Sequence, residues 1–200
     1  FAFLHAAKKA GMDVMDYLDT QVTAAKNLFD DLHISYNQYI RTTDTNAHHP
    51  GVIEMWNRLQ KAGDIYEGQY EGYYCVACES FKTEKDLVDG KCPIHETVAE
   101  KIQEKNYFFK LSKYQSQIRE AIVSETMKVV PESRKNEILA VLDEGLEDIS
   151  FSRPYQGQAN AILVPGDETQ AIYVWGDALT NYISALGFGT ANTSLFDEFW

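Results

Sequence analysis

The sequence has few positive charges and no long apolar run. Lys and Arg number 18 against 30 Asp and Glu, so the 200-residue chain carries a formal net charge of −12. After residue 140 a single cation, Arg153, stands against nine acids. Polyphosphates and anionic lipids bind basic surfaces, so this balance argues against a free-standing nucleic-acid or membrane-surface protein. No apolar run reaches the roughly 20 residues that a membrane-spanning helix requires.

The sequence also lacks an initiator methionine. The chain begins with Phe1 instead of Met, and it stops abruptly at Trp200. The apolar patch of the first segment (FAFLHAAKKAG) precedes its basic residues, which is the reverse of a secretion signal. The composition, 44% hydrophobic and 24% charged, is that of a globular protein. We therefore expect a fragment of a longer globular protein.

Cysteine is scarce, and its spacing is informative. Only three cysteines occur, an odd number that cannot pair completely within the chain. Two residues separate Cys75 from Cys78 and Cys92 from His95, with thirteen residues between the two pairs. Three thiolates and one imidazole form a complete tetrahedral shell for Zn²⁺. The spacing predicts a structural zinc in a reducing compartment, most simply the cytoplasm. The alternative is a reduced cysteine pair, or a disulfide, with His95 as a bystander.

A second group of potential ligands is the adjacent pair His48 and His49, which Pro50 follows. Adjacent side chains project in different directions on most backbones, and no carboxylate follows the pair at helical spacing. We interpret the pair as a solvated helix start and not as a ligand site.

Apolar periodicity changes along the chain. Up to Gly63, apolar residues recur every three or four positions, which predicts amphipathic helices, one capped by Asp13 and another starting near Pro50. From Asp64, aromatic residues alternate with Gly and charge, which predicts short twisted strands joined by tight turns.

The last part of the chain begins at Ile149. Apolar runs interrupted by Pro and Gly predict strands, and after Trp175 the period becomes that of a helix. A buried strand that leads directly into a helix is half of a βα unit. We therefore expect parallel α/β architecture on both sides of a small β-rich segment.

Six segments resemble one family of enzymes when they are read in order. They are residues 40–44 (IRTTD), 63–75 (GDIYEGQYEGYYC), 92–95 (CPIH), 106–114 (NYFFKLSKY), 149–153 (ISFSR) and 172–182 (IYVWGDALTNY). In this order they resemble the bacterial methionyl-tRNA synthetases, which are class I aminoacyl-tRNA synthetases. The resemblance covers nearly the whole chain.

The resemblance implies an α/β fold: a partial Rossmann-type catalytic domain interrupted by a small β-rich insertion, the connective peptide, which carries the zinc knuckle. Residues 1–63 would be the helical end of the first catalytic half. Residues 64–148 would be the insertion, and residues 149–200 the return to the catalytic half with a methionine-pocket segment.

By the same resemblance, the longer parent would be a methionine–tRNA ligase that uses ATP with Mg²⁺ to activate methionine and then charges tRNA. The family's pocket positions fall on Trp175, Ala178, Leu179 and Tyr182. From periodicity alone, the same helical face can also be core packing. Arg153 matches the family's Ser-Arg motif, where a guanidinium would act electrostatically beside the substrate carboxylate and the phosphates. Its alternative role is an ion pair with one of the nearby acids.

The chain departs from the family pattern at two places. Gly176 stands where the family usually has Phe or Leu, so a large side chain beside the pocket is missing. Residues 158–165 lack the family's Trp. These departures put the affinity for methionine in question more than the fold.

Both ATP-signature motifs of the family, His-Ile-Gly-His and Lys-Met-Ser-Lys-Ser, are missing, and no other Gly-rich phosphate loop occurs. We therefore expect the isolated chain to be catalytically inactive and, because it is acidic, not to bind tRNA alone. No membrane association is expected. The alternative is a non-catalytic zinc-ribbon interaction module, or a degenerate synthetase relative, that binds a partner protein.

Overall fold

The structure is a computed structural model that describes residues 2–75, 80–82, 84–157 and 160–200. The chain folds as two compact units, each built from separate stretches of sequence. The first unit comprises Phe1–Arg41, Gly72–Ile102 and Gly157–Asn160. The second comprises Thr42–Glu71, Gln103–Gln156 and Ala161–Trp200.

Helices and strands follow one another along the chain in a mixed order. The helices are α1 (Ala2–Ala10), α2 (Val14–Asp31), α3 (His49–Lys61), α4 (Gln115–Val123), α5 (Glu132–Glu144), α6 (Val174–Ala178), α7 (Asn181–Ser184) and α8 (Ser194–Phe199). The strands are β1 (Ile65–Cys75), β2 (Ser80–Lys82), β3 (Glu100–Phe109), β4 (Ile149–Ser150), β5 (Ser152–Pro154), β6 (Leu163–Val164) and β7 (Asp167–Ile172). Short 3₁₀ helices occupy Glu84–Asp86 and Leu111–Tyr114.

In the first unit, α1 and α2 form a helical hairpin, as the apolar periodicity predicts. The carboxylate of Asp13 caps α2 by accepting a hydrogen bond of 2.8 Å from the backbone N–H of Met15. Gly11, with a φ of 68°, ends α1 and allows the chain to reverse. Further along, the last residues of β1 pair antiparallel with β2.

β1 is one continuous strand of 11 residues, so the expectation of short strands joined by tight turns is wrong for this segment. Gly68 lies inside the strand, and a Cβ on it would stand 2.8 Å from Cδ2 of Phe108. The glycine therefore makes room for a ring on the neighbouring strand, where Tyr66 stacks on Phe108 with centroids 5.6 Å apart. Glycine here serves close packing across the sheet and not a turn.

The parallel arrangement expected around the return segment is also wrong for the strands described. β7 pairs antiparallel with both β5 and β6, and β3 pairs antiparallel with β4. The connection between β6 and β7 explains this, because only Pro165 and Gly166 separate Val164 from its partner Asp167. A two-residue turn can join only antiparallel strands, whereas parallel strands need a long crossover. β7 does lead directly into α6, as the change of period predicts.

The helix expected after Trp175 is divided into two short helices, α6 and α7. Between them, the hydroxyl of Thr180 donates a hydrogen bond of 2.7 Å to the carbonyl of Gly176. Trp175 lies on α6, Tyr182 lies on α7, and Leu179 lies between the two helices.

The hydrophobic core of the second unit lies between α3 and the strands β1, β6 and β7. Its buried members are Val52, Trp56, Ile65, Ile162, Val164 and Ile172. Trp56 is the centre of an aromatic group: its ring meets Tyr107 edge-on at 5.5 Å and stacks on Phe151 at 6.0 Å. Such ring pairs stabilise beyond the area that they bury, by about 0.5–1.5 kcal/mol each. The core strand β7 leads into the short helix α6, which α7 follows.

Candidate functional site

The four residues of the sequence-predicted pocket lie on α6 and α7 and on the turn between them. Trp175 is 58% exposed, Leu179 58% and Tyr182 71%, whereas Ala178 is partly buried. We call this surface the α6–α7 face, defined by these four residues. These large side chains are exposed and are not part of the core of the described residues. The role of the face as a methionine pocket stays a prediction.

The opposite side of the same two helices is held by a buried histidine. His48, just before α3, is 0% exposed. Its Nδ1 lies 2.8 Å from Oγ of Ser184 on α7, and its Nε2 lies 2.6 Å from Oδ1 of Asp177 on α6. The interpretation of His48 as part of a solvated helix start is therefore wrong. The ring is buried because both nitrogens find partners on helices that fold back over it.

His49 points elsewhere, as expected for adjacent side chains. Its Nε2 lies 3.0 Å from the carbonyl oxygen of Thr42, and the residue is partly buried. No local sequence signal distinguishes the two histidines, because the partners of His48 lie 129 and 136 positions further along the chain.

The His48 cluster has the residue types of a hydrolase triad but not its geometry. In that triad the serine bonds to Nε2 and the aspartate to Nδ1, and the serine faces the substrate. Here the two nitrogens are exchanged, and Ser184 is 2% exposed. Ser184 cannot reach an acyl substrate, so this cluster links helices together.

The ring of Phe151 explains why residue 176 is a glycine. Gly176 is buried in α6, and a Cβ on it would lie 2.7 Å from Cζ of Phe151 and 3.3 Å from Cγ2 of Ile172. A Phe or Leu at this position is therefore incompatible with the ring of Phe151 where it stands.

Arg153 is the middle residue of β5 and pairs with Ala171 of β7. Its Nη1 donates to the carbonyl of Ser152 at 2.6 Å and to the hydroxyl of Ser150 at 2.7 Å. The guanidinium also stands 4.1 Å from the ring centroid of Tyr173, a cation–π distance. These contacts hold the guanidinium beside Tyr173, the residue that precedes α6. Its electrostatic role in catalysis stays a prediction.

A buried polar network underlies this motif, and sequence reasoning did not find it. The hydroxyl of Ser152 accepts from the backbone N–H of Tyr107 at 2.8 Å and donates to Oε1 of Gln170 at 2.6 Å. Gln170 in turn donates to the carbonyl of Lys105 at 2.9 Å. Three strands are joined in this way, which explains why Ser152 is fully buried.

The first unit contains a candidate metal centre. The ligand atoms of Cys75, Cys92 and His95 all lie within 4.8 Å of one another, with Cys92 Sγ 4.0 Å from His95 Nδ1. Both cysteines are buried, and neither forms a disulfide within the described residues. Cys78, the fourth predicted ligand, lies outside the described residues.

The donors of this group fit a metal ion. Bonds of roughly 2.0–2.3 Å in a tetrahedron separate neighbouring donors by about 3.5–3.8 Å, so only a small contraction would be needed. A tight turn joins two of the donors, because the N–H of Glu96 donates to the carbonyl of Cys92 at 2.8 Å. The group can therefore hold a metal, and two thiolates with an imidazole favour a soft or borderline cation.

Comparison with known proteins identifies the family. The family model described as tRNA synthetases class I (M) matches residues 2–101 and 82–200. The chain belongs to this family.

Individual class I (M) synthetases are similar over almost all of the chain. The methionine–tRNA ligases of Caldanaerobacter subterraneus subsp. tengcongensis and Clostridium tetani are both 43% identical over 97% of it. A crystal structure of Mycobacterium tuberculosis methionyl-tRNA synthetase bound by methionyl-adenylate is 34% identical, with a TM-score of 0.86 over 98% of the chain. The chain spans 30% of the length of the two ligases and 39% of the Mycobacterium chain.

Membership in the class I tRNA synthetases (M) confirms the resemblance found from the six sequence segments, and the α/β fold with it.

Among the described residues, no helix combines the length and the apolar character needed to cross a bilayer.

Proposed function

We propose that this chain is the part of a methionine–tRNA ligase that contributes one wall of the methionine site and the metal knuckle. The observation that carries the proposal is the α6–α7 face. Its large side chains stand exposed at the family's pocket positions, although the layer beneath them is buried and hydrogen-bonded. A protein similar over 98% of the chain is a methionyl-tRNA synthetase bound by methionyl-adenylate.

The face suits the chemistry of methionine. The rings of Trp175 and Tyr182 and the side chain of Leu179 offer aromatic and aliphatic surface to a thioether. Contacts between sulfur and an aromatic ring contribute about 0.3–1.5 kcal/mol each, and apolar burial adds to this. A pocket of this kind selects by shape and dispersion, which is what an uncharged, flexible side chain requires.

The reaction of the longer enzyme proceeds in two steps. The carboxylate of methionine attacks the α-phosphate of ATP, which gives methionyl-adenylate and pyrophosphate, and a ribose hydroxyl of tRNA then displaces AMP. No covalent bond to the enzyme is needed, so catalysis depends on positioning and on stabilisation of developing charge. We assign Arg153 an electrostatic role near the carboxylate and phosphates, and we expect Mg²⁺ to accompany ATP.

The remaining assignments follow the family pattern. We propose that residues 1–63 belong to the first catalytic half, residues 64–148 to the insertion and residues 149–200 to the returning half. The insertion would hold a structural Zn²⁺ through Cys75, Cys78, Cys92 and His95. A thiolate site favours a reducing compartment, for which the cytoplasm is the simplest choice. With a net charge of −12, this chain alone is not expected to bind tRNA.

The alternative, a non-catalytic interaction module, is not favoured. It depended mainly on Gly176 as a sign of a lost pocket, and the ring of Phe151 accounts for that glycine by packing. Part of the other altered segment, residues 158 and 159, lies outside the described residues.

A segment exchange tests the proposal. This chain would replace the matching 195-residue stretch of the Caldanaerobacter ligase, to which it is 43% identical. We expect the exchanged enzyme to catalyse methionine-dependent ATP–pyrophosphate exchange, and the isolated chain to catalyse none. Trp175→Ala with Tyr182→Ala in the exchanged enzyme should weaken methionine use without changing the use of ATP. A folded, metal-loaded exchanged enzyme without methionine-dependent exchange would contradict the proposal.

A further inference from the structure

His48 is a buried, titratable group that the proposed chemistry does not use. It lies where the first turn of α3 meets the backs of α6 and α7. Two glycines mark how close this approach is: a Cβ on Gly51 would stand 2.8 Å from Cβ of Ser184, and one on Gly189 would stand 2.6 Å from the carbonyl oxygen of Pro50. Elements packed this tightly leave little freedom for the ring between them.

With a neutral imidazole, each donor in this cluster faces an acceptor. Nε2–H then donates to Oδ1 of Asp177, and Nδ1 accepts the hydroxyl hydrogen of Ser184. The carboxylate of Asp177, whose side chain is 15% exposed, gains a donor, and the buried hydroxyl gains an acceptor. His48 therefore satisfies one polar group on each of the two helices.

The two hydrogen-bond partners of His48 lie close in sequence to the residues of the α6–α7 face. Asp177 lies between Trp175 and Ala178 in the sequence, and Ser184 comes two positions after Tyr182. α6 has five residues and α7 has four, too few to be stable as helices on their own. Their orientation must come from tertiary contacts, and His48 forms hydrogen bonds with both of them.

We propose that His48 is a positioning residue of the methionine site. Through Asp177 it holds α6 in the orientation that presents Trp175, and through Ser184 it holds α7 in the orientation that presents Tyr182. The inference rests on the proposed function for its substrate, because the α6–α7 face is taken to bind methionine. The arrangement of the two helices is a property of this chain and can be measured without substrate.

Two substitutions of His48 each remove one of its two hydrogen bonds and retain the other. The side-chain amide of Gln reaches the position of Nε2, so His48→Gln retains the bond to Asp177 and loses the one to Ser184. The shorter amide of Asn reaches the position of Nδ1, so His48→Asn retains the bond to Ser184 and leaves Asp177 without its donor. His49→Gln is the matched control, since His49 contacts the carbonyl of Thr42 and neither short helix.

The first measurement is amide hydrogen exchange on the 200-residue chain. We expect His48→Asn to increase exchange at least tenfold across residues 174–179 while the α3 and β7 amides remain protected. His48→Gln should leave residues 174–179 close to wild type and affect residues 181–186. If both variants exchange as His49→Gln does, His48 does not position these helices and the inference is wrong.

The second measurement is kinetic and uses the exchanged enzyme described above. We expect His48→Asn to raise the KM for methionine about tenfold with little change in the KM for ATP. His48→Gln, which loses only the bond that holds α7, should raise the KM for methionine by a smaller factor. An equal loss of kcat in both variants, with KM unchanged, would show a merely structural role and would overturn the inference. An inactive exchanged enzyme with wild-type His48 contradicts the proposed function instead, and hydrogen exchange then still decides on His48.

Discussion

The ring of Phe151 occupies the space into which a side chain at position 176 would extend: a Cβ on Gly176 would lie only 2.7 Å from Cζ of Phe151. The phenylalanine is itself held in place, because its ring stacks on Trp56 and its backbone N–H donates to the carbonyl of Tyr107 at 2.7 Å. The size of residue 151 and the size of residue 176 are therefore coupled. This coupling makes a small residue in a short helix a requirement of the packing beneath the α6–α7 face.

The coupling predicts a reversal of the usual effect of alanine. Gly→Ala inside a helix normally stabilises by up to about 1 kcal/mol. Here Gly176→Ala should lower the free energy of unfolding by about 1–3 kcal/mol, the usual range for overpacking. In a Phe151→Leu background the same substitution should be neutral or stabilising. Urea denaturation of the four chains completes the cycle. Val174→Leu, on the exposed surface of the same helix, is the control, and equal effects of Gly176→Ala in both backgrounds would contradict the coupling.

The exposed aromatic residues of the α6–α7 face should determine affinity for methionine. Tyr182→Ala in the exchanged enzyme removes a 71%-exposed ring, and we expect the KM for methionine to rise roughly three- to tenfold, as loss of a sulfur–aromatic contact implies. Val174→Ala, at a residue of α6 that is 55% exposed and lies outside the face, should change the KM for methionine less than twofold. A larger effect at Val174 than at Tyr182 would place the pocket elsewhere.

Metal removal should affect the first unit locally. A chelator such as EDTA should increase hydrogen exchange at residues 72–75 and 88–99, because metal binding and local folding share one free energy. Elemental analysis should find about one zinc per chain, and Cys92→Ser should lower that ratio severalfold. His33→Ser, at an exposed histidine outside the group, should not change it. A chain that folds identically with and without zinc would contradict a structural metal site.

Asp64 should make the second unit sensitive to acid. A hydrogen bond from Lys113, and after it one from Tyr114, holds the pKa of this buried carboxyl below its usual value of 3.8. A folded-state pKa below the unfolded one means that the carboxylate stabilises the fold above the unfolded pKa. This contribution disappears as the pH falls through the folded value.

The stability difference between wild type and Asp64→Asn should therefore be constant above about pH 5 and shrink below pH 4. Thermal unfolding at several pH values measures it. Asp30→Asn, on the exposed end of α2, serves as a control that should show no such trend. A difference that grows on acidification would contradict the assigned hydrogen bonds.

Features set by neighbouring residues could be predicted from the sequence. The Asp13 cap, the start of α3 next to Pro50 and the meeting of Cys92 with His95 each depend on a few consecutive residues. Such local geometry is encoded by cap, turn and ligand chemistry at fixed spacing.

Features set by distant partners could not be predicted. His48 acquires its role from Asp177 and Ser184, which are more than 125 positions away, and no local pattern marks it as buried. The glycine pattern after Asp64 predicts turns, whereas Gly68 lies inside a strand because it makes room for the ring of Phe108 on another strand. A change of period identifies a strand followed by a helix, but it does not identify the strands that pair with β7.

Methionine-dependent ATP–pyrophosphate exchange by the Caldanaerobacter ligase carrying this chain tests the central claim most directly. The account predicts exchange that saturates with methionine and that Trp175→Ala together with Tyr182→Ala shifts to higher methionine concentrations. Exchange that is absent, or that proceeds equally well with both aromatic residues removed, would contradict a methionine site on the α6–α7 face.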